Sequence, residues 1–298
     1  MSRAVSAVWR IAALAWSFCC VALAPAVADG DAKRGAYIFA AGGCDNCHTD
    51  RKAKTPPLSG GPALKTPFGV FYGPNISPHP ESGIGRWSDA DFVRAMREGI
   101  SPSGARYFPS FPFTSFTLMT DADLRDLKAY IFSQPPSDRP SKPHEVSFPF
   151  NLRFLQVFWR WFNFTPGRFA ADRSKPPEWN RGAYLANALV HCGECHTPRN
   201  RMGGLDRAMW FAGTADGPVG GPIPNITPEP VTGIGKWSED DLENYLSFGI
   251  HPSGDVAGGL MGEVVEFGTS KLANDDIKAI KTYVRSLPPI RHELGKRR

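Results

Sequence analysis

The pentapeptide Cys-x-x-Cys-His occurs twice in the sequence, at residues 44–48 and 192–196. Two thiols separated by two residues can each add to one vinyl group of the same porphyrin, which attaches the ring through two thioether bonds. The histidine that follows is then held beneath the ring, where its imidazole can bind the iron. The pattern therefore predicts two covalently bound haem c groups. The predicted attachment residues are Cys44, Cys47, Cys192 and Cys195, and the predicted proximal iron ligands are His48 and His196.

Two other kinds of site use paired cysteines. A zinc site would require both pairs to combine into one set of four ligands, and the histidine that follows each pair would then have no role. A thioredoxin-like dithiol would lie beside a βαβ pattern, which the sequence lacks. The whole pentapeptide occurs twice in matching contexts, and this favours haem over both alternatives.

Residues 1–28 have the pattern of a secretory signal peptide. Arg3 and Arg10 form a basic end, residues 11–23 are apolar, and the sequence Ala-Val-Ala at 26–28 is typical of a cleavage site. An uncleaved membrane anchor would need a longer apolar run of about 20 residues. We therefore expect cleavage after residue 28 and export to the periplasm.

Composition limits the remaining function classes. The 298 residues are enough for two ordinary domains, and 30 glycines with 28 prolines indicate short helices joined by long, shaped loops. A net charge of +5 without a concentrated basic patch does not favour nucleic-acid binding. The basic tail at 291–298 is expected to be solvated.

Most of the chain is a repeat. Pro-Asn-Ile-Ser-Pro at 74–78 returns as Pro-Asn-Ile-Thr-Pro at 224–228, and Gly-Ile-Gly-x-Trp-Ser at 83–88 returns at 233–238. A long period with two copies indicates a duplicated domain rather than a solenoid. We therefore expect one haem domain in each copy, the first repeat at residues 29–137 and the second repeat at residues 178–290.

Each repeat shows the same order of predicted helices. A first helix leads into the haem motif, a middle helix starts at a capping serine and ends at a glycine, and a last helix ends before a Pro-Pro pair. The predicted first helices cover 31–41 and 178–189, the capping serines are Ser88 and Ser238, the terminal glycines are Gly99 and Gly249, and the last helices cover 121–132 and 274–287.

The linker at residues 138–177 differs in composition from both repeats. The run that begins at Phe148 and ends at Phe164 is so aromatic that it cannot be free in water at low cost. We expect it to pack as a helix wedged between the two haem domains. The alternatives are peripheral contact with a membrane or docking to a partner subunit, and Arg153 with Arg160 argue against a helix that spans the bilayer.

These motifs resemble those of class I cytochromes c, and more closely those of the multihaem cytochrome c subunits of bacterial periplasmic alcohol and gluconate dehydrogenases. Those subunits have three haems as a rule, whereas this chain has two motifs. The resemblance implies an all-α fold of two tandem class I cytochrome c domains joined by the aromatic-rich linker. It also implies electron transfer, with histidine and methionine as the axial iron ligands.

The distal ligands follow from that resemblance. In the second repeat, Met261 lies in a glycine-rich segment that we expect to be a loop before the last helix, and we assign it as the distal ligand. In the first repeat, the methionine position of the family is taken by Phe111, which cannot bind iron. Met119 is our candidate there, with substitution by a histidine or an open iron site as the alternatives. The asparagines and tryptophans of the repeated motifs, Asn75, Asn225, Trp87 and Trp237, are expected to bond a haem propionate or close the pocket.

The sequence thus predicts a periplasmic dihaem electron carrier rather than an enzyme. A periplasmic dehydrogenase subunit would donate the electrons, and a small cytochrome c or a terminal oxidase would accept them. The alternative is a dihaem enzyme of the peroxidase or thiosulfate dehydrogenase type, in which the first haem would be open or labile. The Phe111 position keeps this alternative open.

Overall fold

The computed structural model describes residues 30–217 and 220–295, and this part of the chain is largely helical. The predicted signal peptide and residues 296–298 of the basic tail lie outside the described residues. The first repeat contains α1 (Ala32–Ala41), α2 (Cys44–His48), α3 (Asp89–Glu98), α4 (Phe113–Phe116) and α5 (Asp121–Phe132). The linker contains α6 (Leu155–Asn163), and the second repeat contains α7 (Pro177–Tyr184), α8 (Gly193–His196), α9 (Glu239–Phe248), α10 (Gly259–Phe267) and α11 (Asn274–Arg285).

The predicted middle helices, α3 and α9, are confirmed at both ends. The Ser88 hydroxyl accepts a hydrogen bond from the Asp91 backbone N–H while the Asp91 carboxylate accepts from the Ser88 N–H, and α9 repeats this reciprocal cap with its own serine and aspartate. Gly99 and Gly249 end the two helices with φ of 60° and 74°, the left-handed conformation that favours glycine.

Three features differ from the sequence-based expectations. The helix expected over 178–189 changes to a π-helix at Leu185–Leu189. The segment around Met261 is helix α10 rather than a loop, because Leu260, Met261, Glu263 and Glu266 favour a helix and Val265 is buried. A small antiparallel sheet joins β1 (Ala63–Thr66), β2 (Gly69–Tyr72) and β3 (Glu145–Val146), whose strands are too short to give a clear alternating pattern.

Each repeat is built on a close crossing of its first and last long helices. In the first repeat α1 packs on α5, and in the second α7 packs on α11. Gly35 and Gly182 lie at these crossings, where an added Cβ would be 1.9 Å from the Asp126 carbonyl oxygen and 1.8 Å from the Ala279 carbonyl oxygen, respectively. Only glycine permits so close an approach of the two backbones.

The two repeats share one buried core and contact each other through equivalent residues. The Tyr37 hydroxyl of α1 donates to the carboxylate of Asp276 on α11, at 2.5 Å. In the reciprocal contact, the Tyr184 hydroxyl of α7 donates to the carboxylate of Asp123 on α5. The first helix of each repeat is therefore joined to the last helix of the other repeat by a pair of equivalent contacts.

Each of these tyrosines also accepts a backbone hydrogen bond from the repeat that it contacts. The Ala273 N–H donates to the Tyr37 hydroxyl at 3.1 Å, and the Thr120 N–H donates to the Tyr184 hydroxyl at 3.2 Å. An arginine on the first helix of each repeat pairs with the same aspartate of its own repeat, which completes two equivalent Arg–Asp–Tyr clusters. These pairs are Arg34 with Asp123 and Arg181 with Asp276.

The linker contacts both repeats. Strand β3 pairs with β2 of the first repeat. On α6, the buried Trp159 packs against Phe113 of the first repeat and donates its indole N–H to the Met202 carbonyl of the second repeat at 2.9 Å. The inner side of α6 therefore packs between the repeats, as expected for a wedge. Within the described residues, no helix combines the length and the apolar character needed to cross a membrane.

Candidate haem attachment sites

The proximal histidines are held in the same way in both repeats. Nδ1 of His48 lies 2.8 Å from the Pro74 carbonyl oxygen, and Nδ1 of His196 lies 2.8 Å from the Pro224 carbonyl oxygen. Because a carbonyl can only accept, Nδ1 must carry the proton in both rings. Nε2 is then the unprotonated nitrogen, with the lone pair that binds a metal ion.

The protonation of these histidines suits iron binding. Burial lowers the pKa of both His48 and His196, and the hydrogen bond to each proline carbonyl offsets only part of that effect. Both rings are therefore neutral at pH 7, the form that binds iron. The sequence analysis assigned no role to Pro74 and Pro224, although each directly precedes one of the repeated asparagines that it selected.

The cysteines of the motifs differ from those of a redox dithiol. Burial raises the pKa of the Cys44 and Cys192 thiols to about 12, whereas reactive Cys-x-x-Cys pairs have lowered thiol pKa values. The four cysteines of the described residues are free thiols, available for thioether bonds. Over the same residues, no three His, Cys, Asp or Glu side chains converge as a zinc site would require. The donor set fits covalent haem.

Met119 is 1 % exposed and belongs to the hydrophobic core. It immediately precedes Thr120, the N-cap of α5, and Leu272 holds the equivalent buried position before α11. This is the position of a hydrophobic staple, a side chain that packs on the first turn of the following helix. Met119 therefore has a structural role in the fold, and its assignment as an iron ligand stays a prediction.

Met261 lies in the first turn of α10 and is half-buried. Helix α10 contacts α9 of its own repeat and also α2, which carries the first haem motif. The Arg51 guanidinium, which follows that motif, lies 3.5 Å from the centre of the Phe267 ring at the end of α10. Met261 as the distal ligand of the second haem stays a prediction.

The role of Asn75 and Asn225 in bonding a haem propionate or closing the pocket stays a prediction, and the structure gives both side chains partners within the protein. Both side chains are buried and already used: the Asn75 amide donates to the carbonyls of Ser137 and Arg139, and the Asn225 amide donates to the Ile290 carbonyl. Each therefore ties the loop beneath the haem motif to the segment that follows the last helix. The rings of Trp87 and Trp237 pack against the core, and their role beside the haem stays a prediction.

The two haem motifs are close to each other. His191, directly before the second motif, has its Nε2 at 3.2 Å from the carbonyl oxygen of Gly42, two residues before the first motif. The His191 ring also packs edge-on against Phe116 of α4, with the ring centres 5.4 Å apart. The structure thus brings the two predicted haem motifs together.

Glu194, inside the second motif, connects it to the first repeat. Its buried carboxylate accepts hydrogen bonds from the hydroxyls of Thr114, at 2.5 Å, and Ser115, at 3.0 Å, both on α4. Arg199 forms an ion pair with it at 2.9 Å. Burial raises the pKa of Glu194, but Arg199 and the Thr114 hydrogen bond outweigh burial, so the pKa is below its usual value. The carboxylate is charged at pH 7 and anchors the second motif on the first repeat.

Comparison with known proteins gives consistent matches. Residues 32–135 match the family model for cytochrome c. A dihaem c-type cytochrome of Cereibacter sphaeroides is 45 % identical over 88 % of this chain and 87 % of its own length. One subunit of the nicotinate dehydrogenase of Pseudomonas putida is 43 % identical over 86 % of this chain, and the match spans 21 % of that subunit. The cytochrome c subunit of the quinone-dependent alcohol dehydrogenase of Gluconacetobacter polyoxogenes is 38 % identical over 87 % of this chain and 56 % of its own length.

The match to the Cereibacter protein covers most of both chains, and the resemblance inferred from the motifs is confirmed. The family model implies a class I cytochrome fold, in agreement with the helical structure and with the two proline-bonded histidines. The chain belongs to the cytochrome c family, with relatives that include a dihaem c-type cytochrome and the cytochrome c subunit of a quinone-dependent alcohol dehydrogenase.

Proposed function

We propose that this chain is a periplasmic dihaem electron carrier, with one class I cytochrome c domain in each repeat. A dehydrogenase subunit donates the electrons, and a small cytochrome c or a terminal oxidase accepts them. The observation that carries the proposal is that both motif histidines are fixed by a proline carbonyl with Nε2 free, in motifs joined by the contact between His191 and Gly42. The dehydrogenase partner is supported by relatives whose names describe them as dehydrogenase subunits.

The residues of the chain supply position and environment. A covalently bound haem iron supplies one-electron chemistry. The proline carbonyls orient the histidine rings, which keeps the iron ligand in place during oxidation and reduction. The contacts that Glu194, Tyr37 and Tyr184 make between the repeats keep the two haem motifs at a fixed separation. An electron that enters one repeat therefore has a short path to the other.

A second candidate function is supported by the first repeat. Phe111 stands where the family has its methionine, and Met119 lies at a core position equivalent to Leu272. An iron without a distal side chain would accept a small ligand, as in a dihaem peroxidase or a thiosulfate dehydrogenase. In that case the first haem would be the reactive one and the second would supply electrons.

The visible spectrum of the fully reduced holoprotein, before and after the addition of carbon monoxide, separates the two functions. A carrier with two six-coordinate irons would leave the spectrum unchanged. Rapid binding to half of the haem would support the enzyme, and turnover with peroxide or thiosulfate would then be measured. Met261→Ala is the matched control because it should open the second iron whichever function holds.

A further inference from the structure

Helix α6 and the turns before it carry an exposed apolar surface, which we call the aromatic face. It comprises Phe148, Phe150, Phe154, Phe158, Trp161 and Phe162. The four members from Phe154 onward follow one another at intervals of four, three and one residues, which places them on one side of a helix. Trp161 is 77 % exposed and Phe162 is 73 % exposed. Single exposed apolar side chains are ordinary on a protein surface, but a contiguous patch of this kind marks an interaction site.

The polarity of α6 is the reverse of that of a water-exposed helix. Its polar side chains point towards the protein: Gln156 is buried, Arg160 donates to the Glu98 carbonyl, and the Asn163 side-chain oxygen accepts from Asn200 at 2.8 Å. A surface helix normally buries its apolar side and exposes its polar side. Helix α6 is therefore suited to an apolar environment on the side that faces away from the protein.

The segment of the chain that carries the aromatic face is basic. Residues 146–171 contain Arg153, Arg160 and Arg168 and no acidic residue. Arg168 forms an ion pair with Asp121 at 3.0 Å, which partly offsets its charge. Arg153 donates to the Arg106 carbonyl at 2.6 Å, and, over the described ranges, neither Arg153 nor Arg160 pairs with a carboxylate. The side chain of Arg160 is turned inward, whereas Arg153 is exposed, and the charge of Arg153 can attract an anionic surface.

We propose that the aromatic face docks on a lipid bilayer that contains anionic headgroups. Phenylalanine and tryptophan rings enter the boundary between headgroups and acyl chains when an amphipathic helix lies in that plane, and basic side chains beside them attract anionic lipids. The inference rests on the proposed function, because export would bring this face to the outer surface of the inner membrane. There, docking would confine the carrier to the plane in which membrane-bound electron donors and acceptors lie.

Flotation of the holoprotein with lipid vesicles tests the proposal. The probes are vesicles of phosphatidylglycerol with phosphatidylethanolamine and vesicles of phosphatidylcholine alone. The variant Phe158→Ser/Trp161→Ser/Phe162→Ser removes the centre of the aromatic face. The matched control Val231→Ser/Phe248→Ser/Val256→Ser replaces three apolar residues of similar exposure, at 60 %, 71 % and 76 %, elsewhere on the molecule. Unchanged haem absorption bands verify that each variant is folded.

We expect the wild-type protein and the control variant to float with the anionic vesicles, and high salt to weaken this binding. The face variant should bind the anionic vesicles at least about tenfold more weakly than the wild-type protein. The proposal is overturned if the wild-type protein does not float, or if the control variant loses binding equally. It is also overturned if light scattering shows a wild-type dimer that the face variant converts to a monomer, since a second copy would then cover the face. Vesicle binding with no electron transfer would count against the proposed function instead.

Discussion

Tyr37 and Tyr184, which join the two repeats, allow a quantitative test of how much that contact stabilises the protein. Tyr184→Phe removes the hydroxyl that donates to Asp123 and accepts from the Thr120 N–H. Asp123 is 2 % exposed and Tyr184 is 5 % exposed, so water cannot replace the lost partner without rearrangement. A hydrogen bond to a charged group contributes about 1.5–3 kcal/mol, and a neutral one about 1 kcal/mol. We expect Tyr184→Phe to lower the free energy of unfolding by about 2–3 kcal/mol.

Two further tyrosines provide the comparison. Tyr37 makes the equivalent contacts with Asp276 and Ala273 but is only half-buried, so we expect Tyr37→Phe to cost about 1 kcal/mol. The Tyr72 hydroxyl donates to Glu145 at 2.8 Å in an exposed contact, and Tyr72→Phe should change the free energy of unfolding by less than about 0.5 kcal/mol.

The assay is urea unfolding of the three holoprotein variants, followed by far-ultraviolet circular dichroism. Covalent haem remains attached in the unfolded chain, so the cofactor is the same in both states. The expected order of the losses is Tyr184 first, Tyr37 second and Tyr72 last. If Tyr184→Phe cost no more than Tyr72→Phe, the contact between the repeats would not stabilise the molecule as described.

Three further predictions follow from other contacts. Burial raises the pKa of Asp276, but the hydrogen bonds from Arg181 and Tyr37 outweigh burial, so the pKa in the folded state is below its usual value. The ionised carboxylate therefore stabilises the fold above the unfolded-state pKa of about 4, and this contribution is lost as the pH falls through the lower folded-state pKa. The free energy of unfolding should therefore decrease less between pH 5 and pH 3 in Asp276→Asn than in the wild type, and parallel pH curves would contradict this. Gly182→Ala should lower the free energy of unfolding by at least about 1–3 kcal/mol, because its Cβ would meet the Ala279 carbonyl. Gly167→Ala, where a Cβ meets nothing within 4 Å, should have little effect, and equal losses would refute the helix-crossing argument. Met261→Ala should allow the second haem to bind carbon monoxide, and an unchanged spectrum would exclude Met261 as its ligand.

The local features of this fold were readable from the sequence because they depend on neighbouring residues. The caps at Ser88 and Ser238, the left-handed glycines and the bounds of α5 each require only side chains within one or two helical turns. The haem motif is local for the same reason, because the proximal histidine directly follows the second attachment cysteine. Periodicity failed at α10, where glycines at the start of the helix concealed the helix-forming residues that follow them.

The long-range features were not readable in the same way. Tyr37 and Asp276 are 239 residues apart, and no pattern within either helix indicates the other. The proline carbonyls that orient His48 and His196 are backbone groups, so the side-chain sequence does not reveal them. Asn75 was selected for its polar side chain, but only the structure shows that neighbouring backbone groups already use its hydrogen-bonding capacity.

The number of electrons that one molecule delivers tests the central claim most directly. The exported holoprotein would be fully reduced, freed of reductant, and mixed anaerobically with an excess of an oxidised small cytochrome c while the absorbance of the acceptor is followed. A dihaem carrier predicts that each molecule reduces two molecules of the acceptor and returns to its own oxidised spectrum. Delivery of one electron or none would contradict a carrier with two active haems.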